Sequence, residues 1–472
     1  MSNQQISIDG FSFDRNSDRQ SLSTENTLVK SMTSELNDIY DVIVVGAGFA
    51  GLICARNLRL SGYSVLLIEA RDRIGGRTYT VEKDKHLYEL GGTWIHWSQP
   101  FVWTEMQRYG LHIVESIGAI PDDVSYISDG KLKQCQANEI LPQLSEAMSK
   151  YCTINDQPSI LTYPYEENIK NDPILLQLDQ MSLLDRFKQI KQTLSVEMQD
   201  LLLSFLSMNT HANLNEGGFL TQLHWWSLGD SELGRMLDKV SRYKVAEGTS
   251  HLANCIFNEA NGIHLLLSTQ VETIEHSNIV VINRKYKART CIITAPMNVL
   301  ANIEFIPKLK NHLFSNHAAR HGGKFYAKIE GKIGRWLGFA PPPNLVTMAF
   351  SDYEENDSTW IVGFDSTGRL DISDIQSVQQ ALQTLLPNAT VQSIIGHKWA
   401  QDPYAQGTWC WLRPTQMTCD MHLLRTHEEP LFFASGDYAC GWRGFIDGAI
   451  ESGVKASMKV KQYFTTKITT SI

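Results

Sequence analysis

Apolar residues recur along this chain with two periods, and the changes between them mark its segments. Residues 42–45 are a continuous β-branched run, as a parallel strand buried on both faces requires. Residues 52–60 continue as an apolar helix that Ser61-Gly62 ends, and 65–68 return to strand. This alternation lapses near residue 115. Residues 174–208 take the helical period, with Leu176, Leu178, Met181, Leu183, Leu184, Phe187 and Ile190 on one stripe, and 201–208 reads as a buried helix. The stretch 222–236 adds the aromatic group His224, Trp225 and Trp226. A helix from Ser250 then leads into strands at 264–267, 269–274, 279–282 and 291–294. Further on, 324–329 and 359–364 alternate as strands and 375–386 carries a helical pattern. Residues 431–437 read as a buried strand ending in a polar turn, and 442–449 opens a helix running past Ser457.

The first strand runs directly into Gly46, Gly48 and Gly51, a G-x-G-x-x-G pattern, and Glu69 ends the second strand 18 residues beyond Gly51. Such glycines allow a tight turn, close approach to a pyrophosphate and close packing of the following helix. The helix N-terminus favours the diphosphate, and the acidic residue can accept ribose hydroxyls. Strands on both sides and the spaced carboxylate point to a dinucleotide rather than to a tight turn alone. The chain of 472 residues, 43% apolar and 20% charged, exceeds one simple core. Its net charge of −9 argues against nucleic acid or an anionic membrane as main partner. The eight cysteines form no C-x-x-C pair and no cluster with metal-ligand spacing, so buried free thiols and no metal are expected. Residues 1–37 are polar and lack a signal core, no run of 18 apolar residues occurs, and the final Thr-Ser-Ile differs from the Ser-Lys-Leu address. These features predict an intracellular protein without a membrane anchor, in the cytoplasm before the peroxisome.

After Glu69 come Ala70 and Arg71, then Gly75, Gly76 and Arg77 within E-A-R-D-R-I-G-G-R. A glycine pair allows another close approach to phosphate, and two arginines add anion contacts. The E-L-G-G-T-W-I-H stretch, with Gly91, Gly92, Thr93, Trp94 and His96, suggests a flat ring lying against backbone; His96 without a paired carboxylate or nucleophile reads as positional or packing. Together with G-A-G-F-A-G, these blocks resemble the flavin-containing monoamine oxidase family, most of all its soluble fungal type, from about residue 39 to about 460. The resemblance implies an α/β two-domain fold: a Rossmann-like FAD domain with a parallel sheet, discontinuous in sequence, and a mixed-sheet and helical substrate domain. The expected order is an N-terminal arm (1–37), FAD domain (38–114), mainly helical substrate domain (115–240), FAD domain (241–303), substrate domain (304–396), FAD domain (397–462) and tail (463–472).

The resemblance also assigns roles. Val271 matches the residue whose backbone touches adenine, Trp399 belongs to the last flavin block, Asp437 accepts a ribityl hydroxyl, and the helix N-terminus at Ile446 supports negative charge on the flavin. Lys324 matches the lysine that holds a water near flavin N5, with Arg335-Trp336 downstream favouring it over Lys328. Trp409 and Phe445 match the pair of aromatic rings before the flavin, where ring faces steer an amine. Thr408 stands where the mammalian enzymes attach flavin through cysteine, so FAD is expected to be non-covalent, with Cys410 two residues away. The implied reaction is oxidation of small apolar primary amines to aldehydes with O2, releasing ammonia and H2O2. Its partners are the amine and O2, and a homo-oligomer is compatible. Alternatives are oxidation of secondary, cyclic or alkaloid amines, or of L-amino acids with Arg443 or Arg413 as the carboxylate's partner. A nicotinamide-dependent reductase lacks a second G-x-G-x-x-G, and a non-catalytic flavin scaffold would not need Lys324 and the ring pair.

Overall fold

A computed structural model describes residues 9–15, 22, 36–161, 169–309, 316–425 and 428–470. Two sheets organise them. In the first, Tyr40–Val45 is hydrogen-bonded in parallel to Val65–Ile68 on one side and to Tyr286–Ile293 on the other. His264–Leu266 extends the sheet beyond Val65–Ile68, and Leu431–Phe433 pairs in parallel with Tyr286–Ile293. Five strands from three distant regions of the sequence thus share one parallel ladder. Val42, Ile43 and Val44 are fully buried, as a strand covered on both faces demands.

The helix Phe49–Leu60 follows the glycine turn, and Ser61 and Gly62 donate back to the Leu58 and Arg59 carbonyls at its end. The long helix Ile446–Thr470 lies against it. Its Asp447 accepts from the N–H groups of Phe101 and Val102, at 2.6 and 2.9 Å, and so caps the helix Pro100–Arg108 from another element. Burial pushes the Asp447 carboxyl up to about 7.

The second sheet runs in the order Phe11–Asp14, Val391–His397, Gly323–Glu330, Ser358–Asp365, Val346–Glu355, Trp336–Phe339, Asp123–Ser128 and Lys131–Gln136. It is mixed, since Trp336–Phe339 and Asp123–Ser128 are parallel and its other pairs antiparallel. Of the helices between residues 137 and 241, Ala137–Cys152 and Val196–Thr210 pack on its strands.

Several expectations need correction. The N-terminal segment is more than a polar arm where it is described: Phe11–Asp14 adds an edge strand to the substrate sheet, in register with 393–396. A four-residue F-S-F-D alternation is too short to stand out in polar sequence, and pairing with an existing sheet edge secures it. Residues 115–240 are mainly helical but also contain the 123–136 hairpin. The long helical pattern of 174–208 is three helices, Pro173–Asp179, Leu183–Ile190 and Val196–Thr210, because Ser182 and Ser195 cap new starts. The strand expected at 269–274 begins only at Thr273, and the final helix continues to Thr470 through the expected tail. Not every cysteine is buried: Cys54, Cys152, Cys291 and Cys410 are, whereas Cys419 is exposed.

The N-terminal segment also carries a buried charge. Asp9 approaches the Arg71 and Arg73 guanidinium groups, at 2.9 and 2.8 Å, and Arg71 makes a second, bidentate pair with Asp402 at 2.6 and 2.7 Å. His397 links the two, accepting from the Gly10 N–H and bonding Asp402. Burial opposes the charged carboxylates, yet the arginines hold Asp9 below the ordinary aspartate range, and His397 and Arg71 do so for Asp402. Their contribution is present above the unfolded aspartate value of about 3.9 and is lost as the pH falls through the lowered folded values. Asp9→Asn leaves the buried Arg73 guanidinium without a carboxylate, while Arg71 keeps Asp402, so it should destabilise the fold by about 3 kcal/mol, read as a lower urea midpoint at pH 7. An unchanged midpoint would show that the Asp9 ion pairs contribute nothing to stability.

Candidate active site

One cavity of about 310 Å³ runs from the glycine turn into the space between the two sheets. At the turn, the helix Phe49–Leu60 starts very close to the strand end. A Cβ on Gly51 would lie 1.9 Å from the Gly46 carbonyl oxygen, so only glycine allows the approach. A Cβ on Gly48 would meet only the Gly76 Cα, at 3.8 Å, leaving a cradle open between the two glycine segments. No side chain caps this helix N-terminus. Its first-turn N–H groups are therefore available to an anion such as a diphosphate.

Glu69, at the end of the Val65–Ile68 strand, accepts from the Ala47 and Arg71 N–H groups at 2.6 and 2.8 Å. Burial raises its pKa, and the two N–H groups work against that rise. Carboxylate oxygens have further lone pairs, so both bonds are compatible with a ribose hydroxyl.

The cavity brings together Gly46, Gly48, Glu69, Ala70, Arg71, Gly76, Arg77, Gly92, Thr93, Trp94, Val271, Lys324, Trp399, Trp409, Phe445 and Ile446, drawn from every flavin block of the sequence. Gly51 and Asp437 are not among its walls. Gly51 serves the helix–turn contact instead. Asp437 spends one oxygen on Arg77, at 2.7 Å, and the other on the Met297 N–H, at 2.8 Å, in full burial. The two arginines of this block are likewise already paired within the protein. The Arg71 guanidinium is held by Asp9 and Asp402, and Arg77 by Asp437 and the Thr408 carbonyl. Both line the cavity with neutralised charge. His96 stays outside, between Ser98 and Asp238 and against Trp97.

Lys324 enters from the Gly323–Glu330 strand, whose pairing with Ser358–Asp365 and Val391–His397 fixes its direction. Its ammonium donates to the Glu89 and Gly91 carbonyls, at 2.8 and 3.2 Å, and to the Thr93 hydroxyl, and lies 4.7 Å from the Trp94 ring centroid. An ammonium has three N–H donors, and protein oxygens take all three. A water held by Lys324, as the resemblance implies, would have to replace one of them. Burial pushes Lys324 down to about 7, against the pull of Glu89 and Asp352. Lys328, the other lysine of this strand, pairs with Glu355.

The far end of the cavity is aromatic. Trp409 donates to the Asn209 carbonyl at 2.7 Å and stands near Phe364, with centroids 6.4 Å apart. Phe445 packs on Trp225 at 4.9 Å, and Trp94 on Phe350 at 5.7 Å. Trp225 stood out in sequence as part of an aromatic cluster, but Phe350, Phe364 and Asn209 carried no signal: each lies in an ordinary strand or helix pattern, and only the folding of the sheet against the helices turns them inward. Among the described lining residues the one carboxylate is Glu69, at the opposite end. Thr408 lines the cavity, whereas Cys410 is buried outside it with its thiol pushed up by burial. No described helix is long and apolar enough to cross a membrane.

A glycine cradle at an uncapped helix start, a ribose-height carboxylate and a wall of rings fit an extended dinucleotide ending in a flat ring system. Comparisons with known proteins agree. Residues 49–461 match the family model of flavin containing amine oxidoreductases. A pseudooxynicotine dehydrogenase of Pseudomonas sp is 35% identical, with 91% of this chain and 87% of that protein covered. A nicotine dehydrogenase of Pseudomonas putida is 30% identical, with 90% and 88% covered. Among solved structures, cyclohexylamine oxidase from Brevibacterium oxydans superposes with a TM-score of 0.74 at 20% identity, with 90% of this chain and 100% of that one covered, which speaks for the fold. The chain belongs to the flavin-containing amine oxidoreductases, and FAD is its cofactor.

Proposed function

We propose that the enzyme oxidises amines that carry an aryl or apolar body and a single nitrogen centre at the reacting end, with secondary and cyclic amines preferred, and that it uses non-covalent FAD and O2. One observation carries this reading: the cavity ends in Trp94, Phe350, Phe364, Trp409 and Phe445, with Lys324 as its one charged group there and no carboxylate. Ring faces attract a cationic or developing positive nitrogen by about 0.5–2 kcal/mol each. A diamine would bury its second ammonium without an anionic partner, which is costly. An amino acid would need a free cation for its carboxylate, and Lys324 has none of its donors to spare. Arg443 and Arg413 do not line the cavity. The preference for secondary and cyclic amines rests on the two relatives of 35% and 30% identity named for pseudooxynicotine and nicotine. Small primary amines, which the resemblance favoured, belong to the same reaction class and form the second arm of the test.

The net reaction removes a hydride from the α-carbon of the neutral amine, giving an iminium ion that loses its N–H proton where it has one, and water hydrolyses the imine or iminium to a carbonyl group and an amine or ammonia. The two electrons reduce O2 to H2O2. When bound, FAD supplies the hydride acceptance and the transfer of electrons to oxygen. The chain's own residues bind and orient. The rings at Trp409 and Phe445 exclude water and direct the nitrogen, and Lys324 places a titratable nitrogen against Trp94 and Thr93. The buried, cavity-excluded Cys410 supports a non-covalent cofactor.

A panel of N-methylphenethylamine, nicotine, phenethylamine, putrescine and phenylalanine, followed by anaerobic flavin bleaching and by peroxide release in air, tests the reading. Bleaching by the first three with little response to the last two is expected, and turnover of phenylalanine alone would overturn it. Bleaching without peroxide would replace O2 by another acceptor. Acid precipitation should leave the yellow colour in the supernatant. Trp409→Ala should cut amine turnover about tenfold or more while FAD content stays near wild type. Loss of FAD with turnover per flavin intact would make Trp409 a structural residue. Lys324→Met should slow flavin reduction or reoxidation by at least an order of magnitude with FAD retained. Because Lys324 is protonated below about 7 and neutral above, the affected half-reaction should show an inflection near that pH in wild type and none in the variant.

A further inference from the structure

The helix Val196–Thr210 ends in residues whose contacts converge on Trp409. The Asn209 carbonyl accepts the indole N–H, at 2.7 Å. His211, the residue that closes the helix, adopts a left-handed backbone with φ of 47° and is fully buried. Histidine is one of the few non-glycine residues enriched in that region, although the conformation still costs an L side chain more than glycine. Here the turn lays the imidazole against the indole, with centroids 4.0 Å apart and planes 36° from parallel. Gly322 makes the room: a Cβ at that position would stand 2.0 Å from His211 Nδ1.

The ring's hydrogen bonding is one-sided. Nδ1 lies 3.2 Å from the Thr408 hydroxyl, and Nε2 has no partner among the described residues. A buried N–H without an acceptor is rarer and costlier than a bare lone pair. The proton therefore belongs on Nδ1, which donates to Thr408 and leaves the threonine hydroxyl proton free to turn away. Burial pushes the imidazole down to about 3, so it is neutral at working pH. Neutrality matters here, because an imidazolium on the indole would occupy the π-cloud that a substrate cation uses. Trp409 and Thr408 line the cavity and His211 does not, so the stack lies on the protein side of the indole.

We propose that His211 is a positioning residue for amine recognition: its ring, stacked on the indole, sets the plane of Trp409 and through it the grip of the cavity on the substrate nitrogen. The proposal rests on the aromatic-wall reading above and adds the residue that orients that wall.

His211→Asn keeps a side chain tolerated in the left-handed region and removes the ring face; His211→Phe keeps a ring and removes the hydrogen bond. The first should raise KM for the best amine about tenfold, with kcat changed by less than about threefold and FAD content unaltered. The second should recover KM to within about threefold of wild type. Coupling gives the independent check. With Trp409→Ala as background, adding His211→Asn should change kcat/KM by less than about twofold, since the group it orients is already gone. A wild-type KM in His211→Asn, or full additivity of the two losses, would overturn the proposal. If His211→Asn does not fold, a His211→Phe enzyme with KM raised as far as in Trp409→Ala overturns it, and a near-wild-type KM supports it. If the wild type oxidises no amine of the panel, the amine-oxidation reading fails. His211 is then judged by calorimetric binding of phenyltrimethylammonium to the holoprotein, where a tenfold weakening in His211→Asn supports its role and no change removes it.

Discussion

The contact on which the rest depends is the packing of the first helix against the glycine turn and against the last helix. Gly51 brings the helix Phe49–Leu60 onto the Gly46 carbonyl, where a Cβ would stand 1.9 Å away. On the other side, a Cβ at Gly453 would come within 2.5 Å of the Ala50 carbonyl oxygen, and the Cys54 thiol donates to the Gly453 carbonyl. Small residues on both sides therefore let Ile446–Thr470 lie flush on Phe49–Leu60. The start of that last helix carries Phe445 and Ile446, so the same contact places the aromatic end of the cavity relative to its phosphate end. Bulk at either glycine would separate the groove that holds the cofactor from the wall that meets the substrate.

Charge follows a consistent division within the cavity. The arginines of the flavin block are neutralised by carboxylates from elsewhere, Arg71 by Asp9 and Asp402 and Arg77 by Asp437. Lys324 is the exception at the aromatic end, and it is buried among carbonyl and hydroxyl oxygens that lower its charge density without cancelling it. Desolvation then does what a neighbouring cation would otherwise do, bringing a lysine into the range where it can titrate near neutral pH. The aromatic rings complete an environment in which the attraction for a nitrogen comes from π-faces rather than from an anion.

Much of the cofactor half was legible in sequence, because its determinants are local. A β-branched run, three spaced glycines and an acidic residue at the end of the next strand specify a turn whose geometry depends on neighbours within 30 residues. The substrate half was less legible. Its strands are ordinary alternating segments, and the edge strand Phe11–Asp14 exists only because Val391–His397 offers an unpaired edge nearly 400 residues away. Phe350 and Phe364 look like core aromatics in any strand, and nothing about an interior strand position states which face will meet a ligand. His211 gave no signal, since its role comes from a left-handed turn, a distant Gly322 and a stack on Trp409.

The amino-acid sequence by itself determined the nucleotide-binding turn, the alternation of α/β and helical segments, and a family resemblance that placed Lys324, Trp409 and Phe445 together. These are properties of short-range patterning, where the residue type and the spacing carry the physical requirement. Tertiary structure alone decided which charges are already paired, which aromatics face the cavity and which side chains hold them there. The pairing of Asp437 with Arg77, for example, has no sign in the sequence and appears only when residues 360 positions apart meet. That outcome depends on distances between segments that meet only after folding, and residue identity does not encode such distances one position at a time.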